Sequence, residues 1–355
     1  MDFNEGKILD NKYQLISSLG KGGFGQVWLS RDLLLNSTVA LKIIPSALSD
    51  FVKNIKEAII GHKFIHPNLI RIYNAELVPF EIGSTRIVLT LIAEEYHKNG
   101  TITSLINNHN FLDSNSLIRL LKELLLGLEH LHANGIYHND IKPANILIDN
   151  NGQAILSDYG ISGVSQNNTP VQADNAYILH EAPETITSGL IDAQTDIYQL
   201  GCTAYRLVNG LNELNTVISN DRDILYKNKL NFNSKQRNKY IPKKLSRIIQ
   251  KAMASKDLRY KTALEMRRDL EKLNFSGYWT DDPEDKQLIA GFDTKYIYRF
   301  KVINSNRGYV MNATKQSLRT GSITKISKFC VKHLNKREAD KLQDTYIESV
   351  ITGNI

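Results

Sequence analysis

The stretch "IYHNDIKPANILI", residues 136–148, carries a carboxylate, an ammonium group and an amide within six positions, at Asp140, Lys142 and Asn145. A second carboxylate follows at Asp158 in "LSDYG", residues 156–160. An aspartate can orient or accept the proton of an attacking hydroxyl, and a lysine can neutralise a phosphoryl group in transfer. Asparagine and aspartate oxygens are hard ligands that suit Mg²⁺. The order of these groups therefore favours phosphoryl transfer.

The two motifs resemble those of the eukaryotic-type serine/threonine protein kinase family. Its catalytic loop reads His-Arg-Asp-x-Lys-Pro-x-x-Asn and its metal motif reads Asp-Phe-Gly. The resemblance implies that Asp140, Lys142 and Lys42 are catalytic, that Asn145 and Asp158 hold Mg²⁺ or alternatively Mn²⁺, and that ATP is the phosphoryl donor. In this family a lysine two residues after the catalytic aspartate, followed by proline, marks enzymes acting on serine and threonine. "DIKPAN" has this form.

A glycine-rich stretch, "LGKGGFGQVW" at residues 19–28, is ambiguous when taken alone. Gly-x-Gly-x-x-Gly fits a dinucleotide fingerprint, a nucleotide-covering hairpin or an ordinary loop. A dinucleotide-binding turn needs a helix directly after it, whereas "QVWLSRD" reads as a strand, so a hairpin is favoured. The resemblance implies that this hairpin covers the phosphates of ATP. The implied nucleotide-binding residues are Leu19, Gly20, Gly22, Gly25, Val27, Ala40, Lys42 and Glu95.

Further motifs of the family follow in the expected order. "VALK" places Lys42 on a strand, and the resemblance implies that Glu57, in a helix expected around residues 49–64, is a catalytic residue that holds this lysine. Downstream, Arg259 is expected to pair with Glu184 of "EAPE". The resemblance covers roughly residues 11–274. It implies an α+β, bilobal protein-kinase-like fold in a domain over residues 1–274, with an antiparallel N-lobe at about 11–96 and a mainly helical C-lobe at about 97–274.

The sequence departs from the family pattern at several positions. Asn139 replaces an arginine that normally pairs with a phosphate on the activation segment, so that switch is in doubt. Tyr177 lies near the position of a threonine that commonly bridges the catalytic aspartate and lysine, and Glu94 lies near the back of the ATP pocket. Three hydroxyl residues of the segment 158–184 are either regulatory or simply on an exposed loop: Ser162, Ser165 and Thr169.

Composition sets the broad class of the 355-residue chain. With 42% hydrophobic and 23% charged residues it reads as globular. Cys202 and Cys330 are far apart and fit neither a disulfide framework nor a zinc site, which favours a reducing, cytoplasmic setting. We expect no signal peptide, since the N-terminus lacks an apolar core, and no membrane partner, since no apolar run reaches about 18 residues.

Apolar periodicity predicts the main helices of the second lobe. Leucines recur at intervals of three and four from Leu117 to Leu131, which is typical of a long helix with one buried face that ends at "ANG". Further helices are expected at about residues 192–208, in "LSRIIQKAMAS" and in "ALEMRRDLEKL".

Residues 275–355 lie outside the resemblance and form an expected basic C-terminal domain. "YWTDDPEDK" reads as a linker, two strands are expected around a turn at 305–308, and amphipathic helices near 323–333 and 336–350. From Lys295 to Arg337 there are eleven Lys or Arg and no Asp or Glu, interleaved with aromatic residues. The aromatic residues are either the core face of a hairpin, which the alternation favours, or a stacking surface for nucleic acid. An acidic partner protein and self-inhibition are further alternatives.

Two functions are therefore open at this point. The intact Lys42, Asp140, Lys142, Asn145 and Asp158 favour a serine/threonine kinase that acts on protein substrates, including itself. The alternative is a nucleotide-binding pseudokinase scaffold whose basic C-terminal domain binds nucleic acid or an acidic protein.

Overall fold

The computed structural model of the chain describes residues 3–22, 25–46, 59–60, 62–82, 85–159, 162–173, 180–212 and 238–355. Of the helix expected around residues 49–64, residues 59, 60, 62 and 63 are described as helical. Residue 64 is described and is not helical, and residues 49–58 and 61 lie outside the described residues. No helix in these ranges is both long and apolar enough to cross a membrane.

The N-terminal lobe is an antiparallel six-stranded sheet in the order β1-β2-β3-β4-β6-β5. Alternation along β4 (Ser37–Ser46) buries Leu41 and Ile43 on one face of the sheet and turns Ala40 and Lys42 to the other face. The strand pattern thus brings an ammonium group to the side that faces the second lobe. The strands are β1 Ile8–Leu9, β2 Tyr13–Gly22, β3 Gly25–Asp32, β4 Ser37–Ser46, β5 Ile72–Ile82 and β6 Thr85–Glu95.

The second lobe is mainly helical, and its central helix is the one that the leucine periodicity predicts. Among the described residues of this lobe, the helices are α1 Ser114–Ala133, α2 Pro183–Ser188, α3 Ala193–Asn209, α4 Lys243–Ala252 and α5 Ala263–Glu271. Asp113 caps α1 by accepting the N–H groups of Asn115 and Ser116, and the leucine stripe from Leu117 to Leu131 is buried. The expected α+β bilobal architecture is confirmed.

Short strand pairs belong to the loops of the second lobe. The hairpin of β8 (Ile146–Ile148) and β9 (Ala154–Leu156) directly follows the stretch that contains Asp140, and it ends two residues before Asp158. The strands are β7 Ile136–Tyr137, β8 Ile146–Ile148, β9 Ala154–Leu156, β10 Gly163–Val164, β11 Val171–Gln172 and β12 Leu190–Ile191, paired as β7 with β10, β8 with β9 and β11 with β12.

A buried ion pair ties α2 to the helical core, as the resemblance implies. The guanidinium of Arg259 is buried and donates to both carboxylate oxygens of Glu184 and to the carbonyl oxygens of Gln194 and Ala254. Removing one partner of such a pair leaves a buried charge without compensation.

We expect Arg259→Met to lower the free energy of unfolding by about 3–5 kcal/mol, and the thermal midpoint by roughly 10 °C. Lys272→Met is the matched control, because its exposed pair with Asp269 is expected to contribute at most about 1 kcal/mol. Thermal unfolding followed by circular dichroism measures both. Equal midpoints for the two variants would contradict the expectation.

The C-terminal region is a six-stranded antiparallel sheet packed against one helix. Strand order is β13-β14-β15-β16-β17, and β18 also pairs with β16. The strands are β13 Tyr278–Asp281, β14 Ile289–Phe292, β15 Tyr296–Ser305, β16 Gly308–Ser317, β17 Ile323–Lys325 and β18 Val331–Leu334, and the helix is α6 Lys336–Thr352. The hairpin turning between Ser305 and Gly308 and the last helix are as expected.

Two sequence predictions for this region are wrong. Residues 278–281 of the expected linker form β13, because Trp279 is fully buried in the core under α6. Residues 323–333 do not form the expected helix: β17 pairs with β16, a single 3₁₀ turn spans 327–329, and β18 begins at Val331. The β-branched side chains there suit the edge of β16 that β15 leaves unpaired, where β17 and β18 pair with different segments.

The aromatic residues of the basic stretch belong mainly to the core, which is the interpretation that the alternation favours. Tyr298 and Phe329 are buried, and Tyr296 and Phe300 pack against the same cluster. Arg299 forms an ion pair with Asp282, so one of the eleven basic residues is structural. The described contacts therefore give no exposed row of stacking aromatic rings.

The C-terminal sheet lies directly on the helical lobe. Tyr240 sits between Phe111, with ring centroids 6.0 Å apart, and Trp279, at 5.6 Å. Asp281 accepts hydrogen bonds from the backbone N–H of Asn108 and from Nδ1 of His109, at 2.9 and 2.7 Å. Aromatic and polar contacts thus hold the two regions together.

Candidate functional site

A cavity of about 320 Å³ lies between the two lobes. This volume is within the usual range for small-molecule sites, about 300–1,000 Å³. Predicted residues from both lobes line it: Leu19, Gly20, Val27, Ala40, Lys42, Glu95, Asn145 and Asp158. Glu94, buried and paired in register with Ala40, also lines the wall, which agrees with its expected place near the pocket.

Lys42 and Asp158 meet across the cleft. Lys42 Nζ lies 2.8 Å from Asp158 Oδ1. Burial alone raises the pKa of Asp158, but the Lys42 ammonium outweighs it, and the net pKa lies below its ordinary value. Asp158 is therefore ionised at neutral pH. It adopts a φ of 69°, a left-handed conformation that is uncommon outside glycine and clusters at functional sites.

Asp140 is held by two neighbours from its own loop. Lys142 Nζ donates to both of its carboxylate oxygens, at 2.9 and 2.7 Å. Asn145 Nδ2 donates to Asp140 Oδ2 at 2.7 Å and to the Asp140 carbonyl oxygen at 2.9 Å. The side-chain amide nitrogen of Asn145 is used in these two hydrogen bonds. Its side-chain oxygen, Oδ1, is therefore the atom left to face a cation.

Two buried histidines support this loop in their neutral form. His138 Nδ1 accepts from the Asp140 N–H at 3.2 Å, so its proton lies on Nε2, which donates to the Ser157 carbonyl oxygen. His180 Nδ1 donates to the Ile141 carbonyl oxygen at 2.8 Å. Burial lowers the pKa of both imidazoles, that of His180 to about 3.

This arrangement predicts a loss of stability in acid. Each imidazole has a lower pKa in the folded state than in the unfolded state. Below about pH 6.5 the unfolded chain therefore binds more protons than the folded one, and stability decreases as the pH is lowered. We expect His180→Gln, which keeps a donor for Ile141, to make stability fall less steeply between pH 6.5 and 4. Urea unfolding at several pH values measures the slope, with exposed His62→Gln as control. A His180→Gln slope equal to that of wild type would contradict the expectation.

Several predicted residues do not line the cavity or are not described. Gly22 ends β2 and pairs with Gly25 across the hairpin. Gly25 is required for packing: its φ is 148°, and a Cβ there would lie 2.2 Å from the Ile43 carbonyl oxygen. Glu57 and Tyr177 lie outside the described residues.

Of the two alternatives for the three hydroxyl residues of the segment 158–184, a position on an exposed loop is wrong for Ser162 and Ser165. Ser162 and Ser165 are buried, whereas Thr169 is exposed. Ser162 Oγ donates to the His138 carbonyl oxygen at 3.2 Å, and Ser165 Oγ accepts from the Thr169 N–H at 2.9 Å. Their hydroxyls complete the loop structure, so in this conformation they are inaccessible to a modifying enzyme.

Sequence reasoning missed part of the cavity wall. Tyr96, His97 and Lys98 follow β6 and line the cavity, and Leu147 lines it from the second lobe. The buried His97 Nε2 has no hydrogen-bond partner within the described residues. For residues 96–98 the available signal was a polar segment directly after a buried strand. Leu147 is the middle residue of "ILI" in β8, and its side chain is less buried than its two neighbours.

The family model for the protein kinase domain matches residues 13–268. The chain belongs to the protein kinase domain family. The match spans both lobes, so the kinase domain contains the cavity and all of the predicted site residues.

Curated relatives of the kinase domain come from several bacteria. The chain is 28% identical over 80% of its length to serine/threonine-protein kinase PknB of Mycobacterium leprae, and 27% identical over 75% to serine/threonine-protein kinase PrkC of Bacillus subtilis. It is 30% identical over 76% to a probable serine/threonine-protein kinase of Clostridium perfringens. The matches span 46%, 41% and 39% of the lengths of these relatives.

Proposed function

We propose that the chain is an ATP-dependent serine/threonine protein kinase. The observation that carries the proposal is the carboxylate of Asp140, oriented by Lys142 and Asn145 beside a cavity that also holds the Lys42–Asp158 pair. The proposed proton acceptor, the proposed phosphate-binding cation and the proposed metal-binding oxygens thus come from both lobes and lie at one cleft. Positioning and charge stabilisation are what phosphoryl transfer requires of a protein.

The residues of the cavity fit Mg²⁺ and ATP. Asn145 and Asp158 offer hard oxygen atoms, and the glycine hairpin is open at Gly20, where a Cβ would meet no atom within 4 Å. When bound, the metal would neutralise charge on the phosphate oxygens. Val27 and Ala40 give the cavity an apolar wall suited to a base, and Lys42 supplies a cation for the phosphates.

The residues of the loop then have separable roles in the proposed reaction. Asp140 orients the substrate hydroxyl and takes up its proton, while Lys142, in contact with the same carboxylate, neutralises the phosphoryl group in transfer. Asn145 fixes the second carboxylate oxygen of Asp140. The proposed substrates are serine and threonine hydroxyls of proteins, including this chain itself.

We also propose that residues 1–274 act as the kinase domain and that residues 275–355 form an appended domain without a catalytic role. The contacts of His109, Asn108 and Tyr240 with β13 support a fixed appendage rather than a mobile one. Nucleic-acid binding by this region is not favoured, because Tyr298 and Phe329 are buried in its core.

A transfer assay tests the proposal. The purified chain is incubated with Mg²⁺ and γ-labelled ATP, with and without a general protein substrate, followed by phosphoamino acid analysis. We expect label on serine and threonine only, and none without a divalent cation. Absence of transfer with retained binding of ATP would favour the scaffold instead, and phosphotyrosine would contradict the substrate assignment.

A further inference from the structure

The backbone around Asp140 is held almost entirely by side chains. Residues 138–141 are irregular and buried, so their peptide groups need partners other than a regular ladder. All eight N–H and C=O groups of these residues bond a side chain. The side chains that do so are those of His138, Asn145, Ser162, His180, Asp196, Gln199 and Thr203.

Three of these side chains lie on one face of α3. Asp196, Gln199 and Thr203 are spaced by three and four residues, which places them in a row along a helix. Asp196 accepts the N–H groups of His138 and Asn139, both at 2.8 Å. Side chains on one face of α3 therefore form hydrogen bonds with the loop both before and after Asp140.

Gln199 bridges the two sides of Asp140 with a single amide. Its Nε2 donates to the Asn139 carbonyl oxygen at 2.9 Å, and its Oε1 accepts the Ile141 N–H at 2.9 Å. The side chain is fully buried. Because a carbonyl requires a donor and an N–H requires an acceptor, only one orientation of the amide satisfies both peptides.

The carbonyl group of Ile141 is fixed from two further directions. Thr203 Oγ1 donates to it at 3.1 Å and His180 Nδ1 at 2.8 Å. His180 Nε2 lies 3.2 Å from Arg206 Nη1, which donates to it. Arg206 is on α3 as well, so the helix fixes Ile141 both directly and through His180.

We propose that Gln199 is a positioning residue for Asp140, acting with Thr203 and His180. The inference rests on the proposed kinase function. Gln199 holds the peptides on both sides of Asp140, so it sets the direction in which the carboxylate leaves the backbone. Gln199, Thr203 and His180 are buried and uncharged, and they hold the loop beside Asn139. Most members of the family carry a charged arginine at the position of Asn139.

The test compares Gln199→Met with Gln194→Met. The Gln194 amide is on the same helix and bonds the carbonyl oxygens of Lys256 and Tyr260, away from the loop, which makes it a matched control. We expect Gln199→Met to lower kcat about 10- to 100-fold, with the KM for ATP within about twofold of wild type. Gln194→Met should keep wild-type kcat.

Hydrogen exchange gives a readout that does not depend on activity. In Gln199→Met the Ile141 amide is expected to exchange faster, while amides of β6 are unchanged. A folded variant with kcat within twofold of wild type, or with unchanged Ile141 exchange, would overturn the proposal. If wild type transfers no phosphate, the proposed function fails, and the exchange rate still decides whether Gln199 holds the loop.

A second pair of variants serves if Gln199→Met does not fold. Thr203→Val removes the hydroxyl donor at nearly constant volume, and Thr203→Ser keeps it. We expect kcat to fall several-fold in Thr203→Val and to stay near wild type in Thr203→Ser. Equal kcat values in these two variants would count against the proposal.

Discussion

Replacing Asp140 with asparagine is expected to lower kcat about 10³-fold and to leave the protein folded. An amide cannot take up the proton of the substrate hydroxyl, although it fills the same space. Asp140 does not contribute to the apolar core, and its partner Lys142 is partly exposed, so its ammonium can be hydrated once the carboxylate is lost. The transfer assay measures kcat, and thermal unfolding measures stability.

Asp257→Asn is the matched control for this variant. It makes the same change at an exposed carboxylate that does not line the cavity. Its activity should equal that of wild type. If Asp140→Asn retained transfer within about tenfold of wild type, Asp140 would not be the proton acceptor.

Replacing Asp158 with asparagine is expected to abolish detectable transfer and to remove the dependence of ATP binding on Mg²⁺. The variant loses the anionic oxygen of the proposed metal site and the charge that attracts Lys42 at 2.8 Å. A metal ion contributes several kcal/mol of charge stabilisation in such reactions, which corresponds to about 10²- to 10³-fold or more in rate. Calorimetric titration with ATP, with and without Mg²⁺, measures the binding component.

Glu76→Gln is the control for the Asp158 variant. It breaks a lysine–carboxylate pair of similar length, Lys12 to Glu76 at 3.1 Å, outside the cavity. We expect it to change neither transfer nor Mg²⁺-dependent binding. An Asp158→Asn variant that bound ATP more tightly with Mg²⁺ than without it would place the metal on other residues.

The short motifs predicted much of the site because their residues are close in sequence. Asp140, Lys142 and Asn145 fall within six positions, and their contacts with one another depend on local backbone geometry. The long helix α1 was equally predictable, since the period of its leucines reports directly which face is buried.

Predictions failed where contacts between distant segments outweigh local pattern. Trp279 lies in a polar stretch that reads as a linker, yet it packs against Tyr240 and Tyr346. The segment 323–333 has helical spacing, but the edge of β16 that β15 leaves unpaired binds it as two strands.

The sequence by itself thus determined the family, the two lobes and the groups proposed for chemistry, because these depend on residue type and short spacing. Only the tertiary structure decided which distant side chains hold the backbone around Asp140. Gln199 and His180 are 39 to 60 positions away from the peptides they bond, and no local pattern marks them. Buried peptide groups must be paired, and the chain supplies their partners from α3 and its neighbours only once the lobe has folded.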